Sequence, residues 1–160
     1  MKKLRALVSI IALCAGIVMS LAACSDNKQE PETPAAKSIE GVYNGDVDCI
    51  VLGEPFPLQN ASCTFTITAN DDTSVKIVIS PFGDPPMRIS ELLVPAVKVS
   101  GSEGVYSLAE TVYNGETGDG KTYKITLAGG VGDNTLTVRF ELYYGAMPMP
   151  MNCTFTARKE

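Results

Sequence analysis

The sequence contains no histidine among its 160 residues, and this absence excludes several common catalytic arrangements. A cysteine nucleophile needs a neighbouring base that lowers its pKa, and histidine is the base most often used. Phosphate-binding glycine loops, nucleophile elbows and the spacing of a calcium-binding EF-hand are also missing. The Asp and Asn residues at 70–72 and 133–134 fit ordinary turns, where these residue types are common. We therefore predict a non-enzymatic protein with no catalytic residue, no cofactor and no metal site.

The longest apolar run is too short for a comfortable membrane-spanning helix, which needs about 20 residues. It extends over residues 6–21 and follows a short basic segment that contains Lys2, Lys3 and Arg5. A basic segment, an apolar run and then small residues are the three parts of a secretory signal peptide. We therefore predict that residues 1–23 form an export signal that is removed from the mature protein.

The residues that end this run, Leu21-Ala22-Ala23-Cys24, resemble the lipobox of bacterial lipoproteins, which consists of a leucine, two small residues and a cysteine. The resemblance implies that the Cys24 thiol is lipidated and that cleavage makes Cys24 the new amino terminus. Two or three acyl chains hold a protein firmly in a bilayer, because each buried methylene contributes about 0.8 kcal/mol. The alternative is a secreted protein without lipid, in which Cys24 is an ordinary thiol.

Residues 24–38 are expected to comprise the lipidated cysteine and a flexible tether. The segment from Ser25 to Ser38 is polar, contains two prolines and shows no apolar periodicity. Its acidic residues close to Cys24 resemble the surface-export tag of Bacteroidetes lipoproteins. This combination predicts a cell-envelope protein anchored in the outer membrane, on either its periplasmic face or the cell surface.

Basic residues are scarce after the export signal. Removal of residues 1–23 takes away three of the 13 Lys and Arg residues and none of the 18 Asp and Glu residues, so the mature chain has a net charge of about −8. Nucleic-acid binding depends largely on cationic contacts to phosphate, and binding to an anionic membrane surface is helped by a polybasic patch. We predict no nucleic-acid partner, and a membrane attachment that depends on the lipid at Cys24.

Patterns of period two recur through residues 39–160, and no segment there has convincing helical spacing. In the clearest example, Leu136, Val138 and Phe140 alternate with polar residues. Eight such segments with short connections predict an all-β domain, either an up-and-down antiparallel barrel or a two-sheet sandwich. Pro95 lies within the least regular segment and predicts a bulge or an edge there, because proline has no amide to donate.

The domain opens with Gly41-Val42-Tyr43-Asn44-Gly45 and closes with a strand that contains Cys-Thr-Phe-Thr at residues 153–156. With the alternating strands between them, these segments look like the calycin-like β-barrel lipoproteins of Bacteroidetes. The resemblance covers residues 39–160 and implies an eight-stranded, lipocalin-like barrel with no known enzymatic activity. It transfers no functional residues to this sequence.

Three cysteines remain in the predicted domain, Cys49, Cys63 and Cys153, and the alternation directs all three inward. Two of them can pair in an oxidising compartment. A hairpin turn near residues 54–60 would place Cys49 opposite Cys63, whereas closure of a barrel would place Cys49 beside Cys153. Both pairings stay open at the level of the sequence, and either one leaves a thiol unpaired.

The segment Met147-Pro148-Met149-Pro150-Met151 is the most unusual local sequence. In an extended chain its three methionines and Cys153 project to one side, and soft sulfur ligands of this kind bind Cu(I). The alternative, which we favour, is a methionine-lined barrel mouth, because thioethers are also adaptable apolar filler.

Two functions are consistent with these patterns. The first is a non-catalytic accessory or interaction module of the outer membrane or cell surface, with a packed barrel and an envelope protein as its partner. The alternative is a carrier that binds a small apolar ligand inside the barrel, since eight strands enclose room for side chains or for one small ligand. The residues predicted to line that ligand are Tyr43, Phe65, Tyr106, Tyr123, Phe140, Met147, Met149 and Met151.

Overall fold

The computed structural model describes residues 33–55 and 58–160, which contain one short helix and nine β-strands. The predicted export signal, Cys24 and most of the predicted tether lie outside the described residues. No helix within the described ranges is long and apolar enough to cross a bilayer. The elements are α1 (Ala35–Ile39), β1 (Gly41–Val51), β2 (Glu54–Pro55), β3 (Ala61–Ala69), β4 (Ser74–Ile79), β5 (Leu92–Ser102), β6 (Val105–Glu116), β7 (Thr122–Gly132), β8 (Thr135–Tyr144) and β9 (Met151–Lys159).

The long strands form a closed barrel. Each pairs antiparallel with its neighbour in sequence, and β1 also pairs with β9, residues 43–50 against residues 152–159. This last ladder makes a barrel of eight strands, because β2 is only a two-residue extension paired with the end of β1. Closure protects strand edges from pairing with other chains. The prediction of an all-β, eight-stranded antiparallel up-and-down barrel is confirmed, and the sandwich alternative is excluded.

Alternation of apolar and polar residues decides which face of each strand points into the barrel. In β8, Leu136, Val138 and Leu142 are fully buried, whereas Thr137 and Arg139 between them are exposed. Burying a side chain of this size stabilises the fold by about 1.5–3 kcal/mol. The same pattern in most of the other long strands produces one continuous core inside the barrel.

The middle of this core is filled by aromatic rings. Phe65 of β3 and Phe155 of β9 are fully buried and stack with their ring centroids 4.1 Å apart. The ring of Phe140 in β8 lies 6.2 Å from that of Phe65, in a tilted arrangement. A tilted pair at 6.2 Å lies within the favoured range for aromatic rings, and the stacked rings at 4.1 Å are in close contact. The protein's own side chains therefore occupy the interior at this level.

The helix α1 covers the end of the barrel at which the chain enters. Ala36 and Ile39 are fully buried, and the Tyr43 hydroxyl donates a hydrogen bond of 2.8 Å to the Ile39 carbonyl. Residues three apart share one face of a helix, so a single turn directs both side chains at the barrel. Residues 35–38, which we predicted as the last part of a flexible tether, belong instead to this helix.

Three apolar side chains from the connecting loops cover the opposite end, which we call the rim. Leu58, Phe82 and Ile89 are each 2% exposed. Phe82 and Ile89 form an isolated β-bridge, with backbone hydrogen bonds of 3.1 and 2.9 Å. Gly83 adopts a left-handed conformation, with φ +76°, beside Leu58; glycine takes up this conformation without strain. Both ends of the barrel are thus covered by apolar side chains.

The sequence predicts a bulge or an edge at Pro95, and the structure has a bulge there. In the β4–β5 ladder Val94 pairs with Ile77, but Val97 pairs with Val75, so β5 contains one extra residue between them. A bulge tolerates proline because its extra residue does not need to donate a backbone hydrogen bond to the neighbouring strand.

Candidate functional site at the barrel rim

A cleft of about 410 Å³ opens between the β4–β5 loop and the β8–β9 loop. We call it the rim cleft. Its volume lies within the range of about 300–1,000 Å³ that is usual for small-molecule sites. Its lining residues come from these two loops, the end of β8 and the β6–β7 loop: Pro86, Met87, Arg88, Ile89, Lys121, Tyr144, Gly145, Ala146, Met147 and Pro148.

Tyr144 joins the two sides of the rim cleft. Its place two residues after the buried Leu142 turns its side chain inward, and it is itself buried. The Ser90 amide donates a hydrogen bond of 3.0 Å to the Tyr144 hydroxyl. A buried tyrosine needs a partner for its hydroxyl, and here that partner is the backbone of the β4–β5 loop. The bond holds this loop against β8.

A second tyrosine bridges a gap in the barrel beside the cleft. The β5–β6 ladder ends at Val99 and Leu108, so residues 92–98 have no ladder to β6. The Tyr123 hydroxyl accepts a hydrogen bond of 2.9 Å from the Leu93 amide and donates one of 2.7 Å to the Leu93 carbonyl. One side chain thus replaces a pair of ladder bonds, and it holds the start of β5 in place.

Gly115 in β6 makes room for this tyrosine. It lies opposite Tyr123 in the β6–β7 ladder, and a Cβ atom at position 115 would lie 2.8 Å from the Tyr123 Cε1 atom. Protein interiors are close-packed without such overlaps, so glycine is the residue that lets the ring pass beneath β6 toward β5.

Lys121 in the β6–β7 loop is positioned by two contacts. Its ammonium nitrogen lies 3.3 Å from a carboxylate oxygen of Asp119 and 5.3 Å from the centroid of the Tyr144 ring, close enough for a cation–π interaction. The Thr117 hydroxyl donates a hydrogen bond of 2.6 Å to Asp119. That bond, and a further one from Ser90, lower the pKa of Asp119 to about 2. Asp119 in turn raises the pKa of Lys121, so both groups are charged at neutral pH.

Arg88 gives the rim cleft a second cation. It is exposed and forms no salt bridge with any residue that the structure describes. It also borders a neighbouring cleft of about 310 Å³ near Leu58. The rim cleft therefore combines a lysine in a salt bridge, an arginine that has no salt bridge in the described part of the chain, and apolar walls that include Met87, Ile89 and Met147.

The eight residues predicted to line a ligand fall into three environments. Those buried in the core are Tyr43, Phe65, Tyr123, Phe140 and Met151. Those partly buried against the core are Tyr106 and Met147. Met149 is 40% exposed. The structure places Met147 in the rim cleft, and the assignment of all eight to ligand binding stays a prediction.

The sequence patterns do not identify Met87, Arg88 or Lys121 as neighbours of Met147. These residues lie in loops that are distant along the chain, and barrel closure brings the loops together at the rim. Tyr144 carries a usable signal, because it continues the inward alternation of β8.

Barrel closure also decides the cysteine pairing. Cys49 of β1 and Cys153 of β9 lie opposite each other, with Cα atoms 4.2 Å apart, and form a disulfide. Cys63 is a buried free thiol, and burial raises its pKa to about 11. A thiol with such a pKa is almost fully protonated at neutral pH and is a poor nucleophile.

The methionines of residues 147–151 do not share one side of an extended chain. Residues 145–150 lie outside the strands, and Met149 is exposed whereas Met151 is fully buried. This arrangement corrects the geometry on which the copper alternative depended. Within residues 33–55 and 58–160, no three or more His, Cys, Asp or Glu residues are grouped to hold a metal ion.

A solved structure with a similar fold comes from Bacteroides fragilis and is named provisionally as an outer membrane protein. It is 20% identical to this chain at a TM-score of 0.66, over 79% of this chain and 53% of its own. This chain thus spans about half the length of that protein, and at this identity the likeness shows the fold alone. No curated protein matches the sequence.

The sequence also matches a protein family, the calycin-like beta-barrel domain, over residues 39–158. The matched segment begins at the end of α1 and ends within β9, so it includes the eight strands of the barrel. The matched segment covers most of the chain, and in the structure it folds into the closed antiparallel barrel. The chain therefore belongs to the calycin-like β-barrel domain family.

Proposed function

We propose that this protein is a lipid-anchored component of the cell envelope that acts without catalysis, as an accessory or interaction module of the outer membrane or cell surface. The lipobox resemblance at residues 21–24 supports the anchor. The provisional name of the Bacteroides fragilis neighbour, an outer membrane protein, supports the location. An envelope protein is the expected partner.

The observation that favours an interaction module over a carrier is the filled interior of the barrel. Phe65 and Phe155 stack within it at 4.1 Å, and apolar residues cover both ends. A carrier needs a cavity that buries most of its ligand, whereas the protein's own side chains occupy this interior. We therefore assign binding to the outer surface, and above all to the rim.

Exposed apolar residues at the rim support a protein partner. Leu52 is 76% exposed at the β1–β2 turn and has a positive φ of 54°, a conformation that costs a non-glycine residue about 1–2 kcal/mol. Met149 is 40% exposed on the β8–β9 loop. Because β1 pairs with β9, this turn and this loop leave the barrel side by side. A contiguous exposed apolar patch marks an interaction surface, and we propose that Leu52 and Met149 belong to such a patch.

Two features support the absence of catalysis. The chain has no histidine to serve as a base near neutral pH. The free thiol of Cys63 is buried and has a pKa of about 11, so it supplies no thiolate nucleophile under the same conditions.

The anchor is tested by metabolic labelling with a palmitate analogue, followed by separation of the membrane and soluble fractions. We expect label and membrane attachment in the native chain and loss of both in Cys24→Ala. Cys14→Ala is the matched control, because Cys14 lies in the predicted export signal outside the lipobox, and it should behave like the native chain. An unlabelled native chain, or a labelled Cys24→Ala variant, would refute the anchor.

The interaction surface is tested by photocrosslinking in intact cells. A photoreactive amino acid replaces Leu52 or Met149 at the rim, and in a third variant it replaces Val105, which is 66% exposed at the opposite end of the barrel. We expect the same crosslinked envelope protein from both rim positions and none from Val105. Equal crosslinking at all three positions, or none at the rim, would argue against the proposal.

A further inference from the structure

We propose that the rim cleft binds a small amphipathic anion, with its carboxylate on Arg88 and its apolar body between Met87 and Met147. This inference goes beyond the proposed function. A protein partner at the rim does not require a small ligand in the cleft, and the ligand can bind whether or not that partner exists.

Charge complementarity favours an anion. The lining of the rim cleft includes two cationic side chains, Arg88 and Lys121, and no Asp or Glu. Asp119 partly neutralises Lys121 at 3.3 Å, whereas Arg88 forms no salt bridge in the described part of the chain. A guanidinium group binds a carboxylate through two parallel hydrogen bonds. A neutral or cationic ligand would leave that capacity unused.

The remaining walls favour an apolar body. Met87 and Met147 are partly buried on facing loops, and Ile89 is buried. Methionine side chains adapt their shape to a ligand and make favourable contacts with aromatic rings. Pro86 and Pro148 add apolar surface without an amide hydrogen. An apolar group in the cleft would therefore leave few polar atoms without a partner.

The volume of the cleft limits the size of the ligand. A space of about 410 Å³ holds roughly fourteen non-hydrogen atoms if each takes about the 30 Å³ of a molecule of liquid water. Phenylbutyrate, a carboxylate of about this size, is a suitable probe because its ring matches the thioether walls.

The walls are held in place by hydrogen bonds within the protein. Ser90 is bonded to the Tyr144 hydroxyl at 3.0 Å, and Leu93 is bonded twice to the Tyr123 hydroxyl. These bonds secure the β4–β5 loop on both sides of its junction with β5. A preformed site loses less conformational entropy when it binds, so a small ligand with one charged group can suffice.

The test uses the lipid-anchored mature protein in phosphatidylcholine nanodiscs, with methionine methyl groups labelled for NMR. Phenylbutyrate should cause saturable shifts of the Met87 and Met147 methyl signals and little change at Met151, which is fully buried in the core. Phenylbutanol, the neutral analogue, should bind about tenfold more weakly, as expected for the loss of one charge-assisted interaction. Empty nanodiscs correct for partition of both probes into lipid.

Variants at the arginine separate charge from packing. Arg88→Gln should weaken phenylbutyrate binding about tenfold and leave phenylbutanol binding unchanged, while Arg88→Lys should recover part of the loss. Arg158→Gln is the matched control, because Arg158 is exposed in β9 near the opposite end of the barrel, and it should bind like the native protein. An unshifted Met151 signal in each variant shows that the core is retained.

Three results would overturn the inference: no shift of the Met87 and Met147 signals, equal binding of both probes, or no effect of Arg88→Gln. Nanodiscs that contain anionic phosphatidylglycerol test a lipid head group as the source of the anion. Shifts of the two methionine signals in these nanodiscs without a probe would assign the cleft to lipid and refute a free ligand. The measurement uses purified protein, so its failure is distinct from a failure of the crosslinking test.

Discussion

Replacing Tyr123 with phenylalanine tests how the barrel is held together where β5 and β6 separate. The substitution removes one oxygen atom and leaves the ring in place. That oxygen accepts a hydrogen bond of 2.9 Å from the Leu93 amide and donates one of 2.7 Å to the Leu93 carbonyl. In Tyr123→Phe both backbone groups of Leu93 lose these partners.

The magnitude follows from the groups left behind. A hydrogen bond contributes about 0.5–1.5 kcal/mol net, and a buried group without a partner costs about 1–3 kcal/mol. Both hydrogen bonds are only partly buried, so water can reach the groups left behind and the larger penalty does not apply twice. We expect the free energy of unfolding to fall by about 2 kcal/mol.

Equilibrium urea denaturation measures this loss. Tyr143→Phe is the matched control, because Tyr143 lies on the outer face of β8. The Lys124 Nζ atom lies 5.8 Å from the centroid of its ring, and this contact does not involve the hydroxyl. The variant should change the free energy of unfolding by less than about 0.5 kcal/mol. Hydrogen exchange adds a local readout, since the Leu93 amide should lose protection in Tyr123→Phe. An unchanged free energy of unfolding, or equal losses in both variants, would refute the role assigned to Tyr123.

Three further predictions concern stability. Gly115→Ala should lower the free energy of unfolding by about 1–3 kcal/mol in the same denaturation assay, because the added Cβ would meet the ring of Tyr123. Gly118→Ala is its control, since a Cβ at position 118 would have nothing within 4 Å, and it should change stability by less than about 0.5 kcal/mol. Equal effects of the two substitutions would contradict the role assigned to Gly115. Replacing both Cys49 and Cys153 with alanine should cost about 2–5 kcal/mol, since the disulfide spans a sequence separation of 104; a native-like unfolding midpoint would contradict this expectation. Folding lowers the pKa of Asp119 to about 2, so its carboxylate stabilises the protein above the unfolded pKa of about 3.9, and this contribution disappears as the pH falls toward 2. The difference in Tm between the native protein and Asp119→Asn should therefore shrink as the pH falls from about 5 to 2. A difference that stays constant over this range would contradict the stabilising role of the Asp119 carboxylate.

Local patterns account for most of the fold. The alternation of Leu136, Val138 and Phe140 predicts which face of β8 is buried, because successive side chains of a strand point to opposite sides. The bulge at Pro95 follows from the missing amide. The helix α1 is not predicted, because the pair Ala36 and Ile39 supplies too few positions to define a period of 3.6 residues.

The candidate site is less predictable, because it forms between loops. Met147 belongs to an unusual segment and so attracts attention in the sequence. Arg88 and Lys121 are ordinary loop cations, and no local pattern connects either of them with Met147. Their proximity arises because β4, β6 and β8 all end at the same end of the barrel.

The sequence by itself determined the all-β class and the inward face of most strands, and it indicated an irregularity at Pro95, either a bulge or an edge. The tertiary structure alone decided which partner Cys49 takes: Cys63 lies opposite Gly45, whereas closure of β1 on β9 brings Cys153 opposite Cys49. It also decided that aromatic rings occupy the middle of the barrel, since the ring of Phe65 meets its neighbours only after closure. Alternation is a property of one strand, while register, closure and packing depend on contacts between strands that are far apart in the chain.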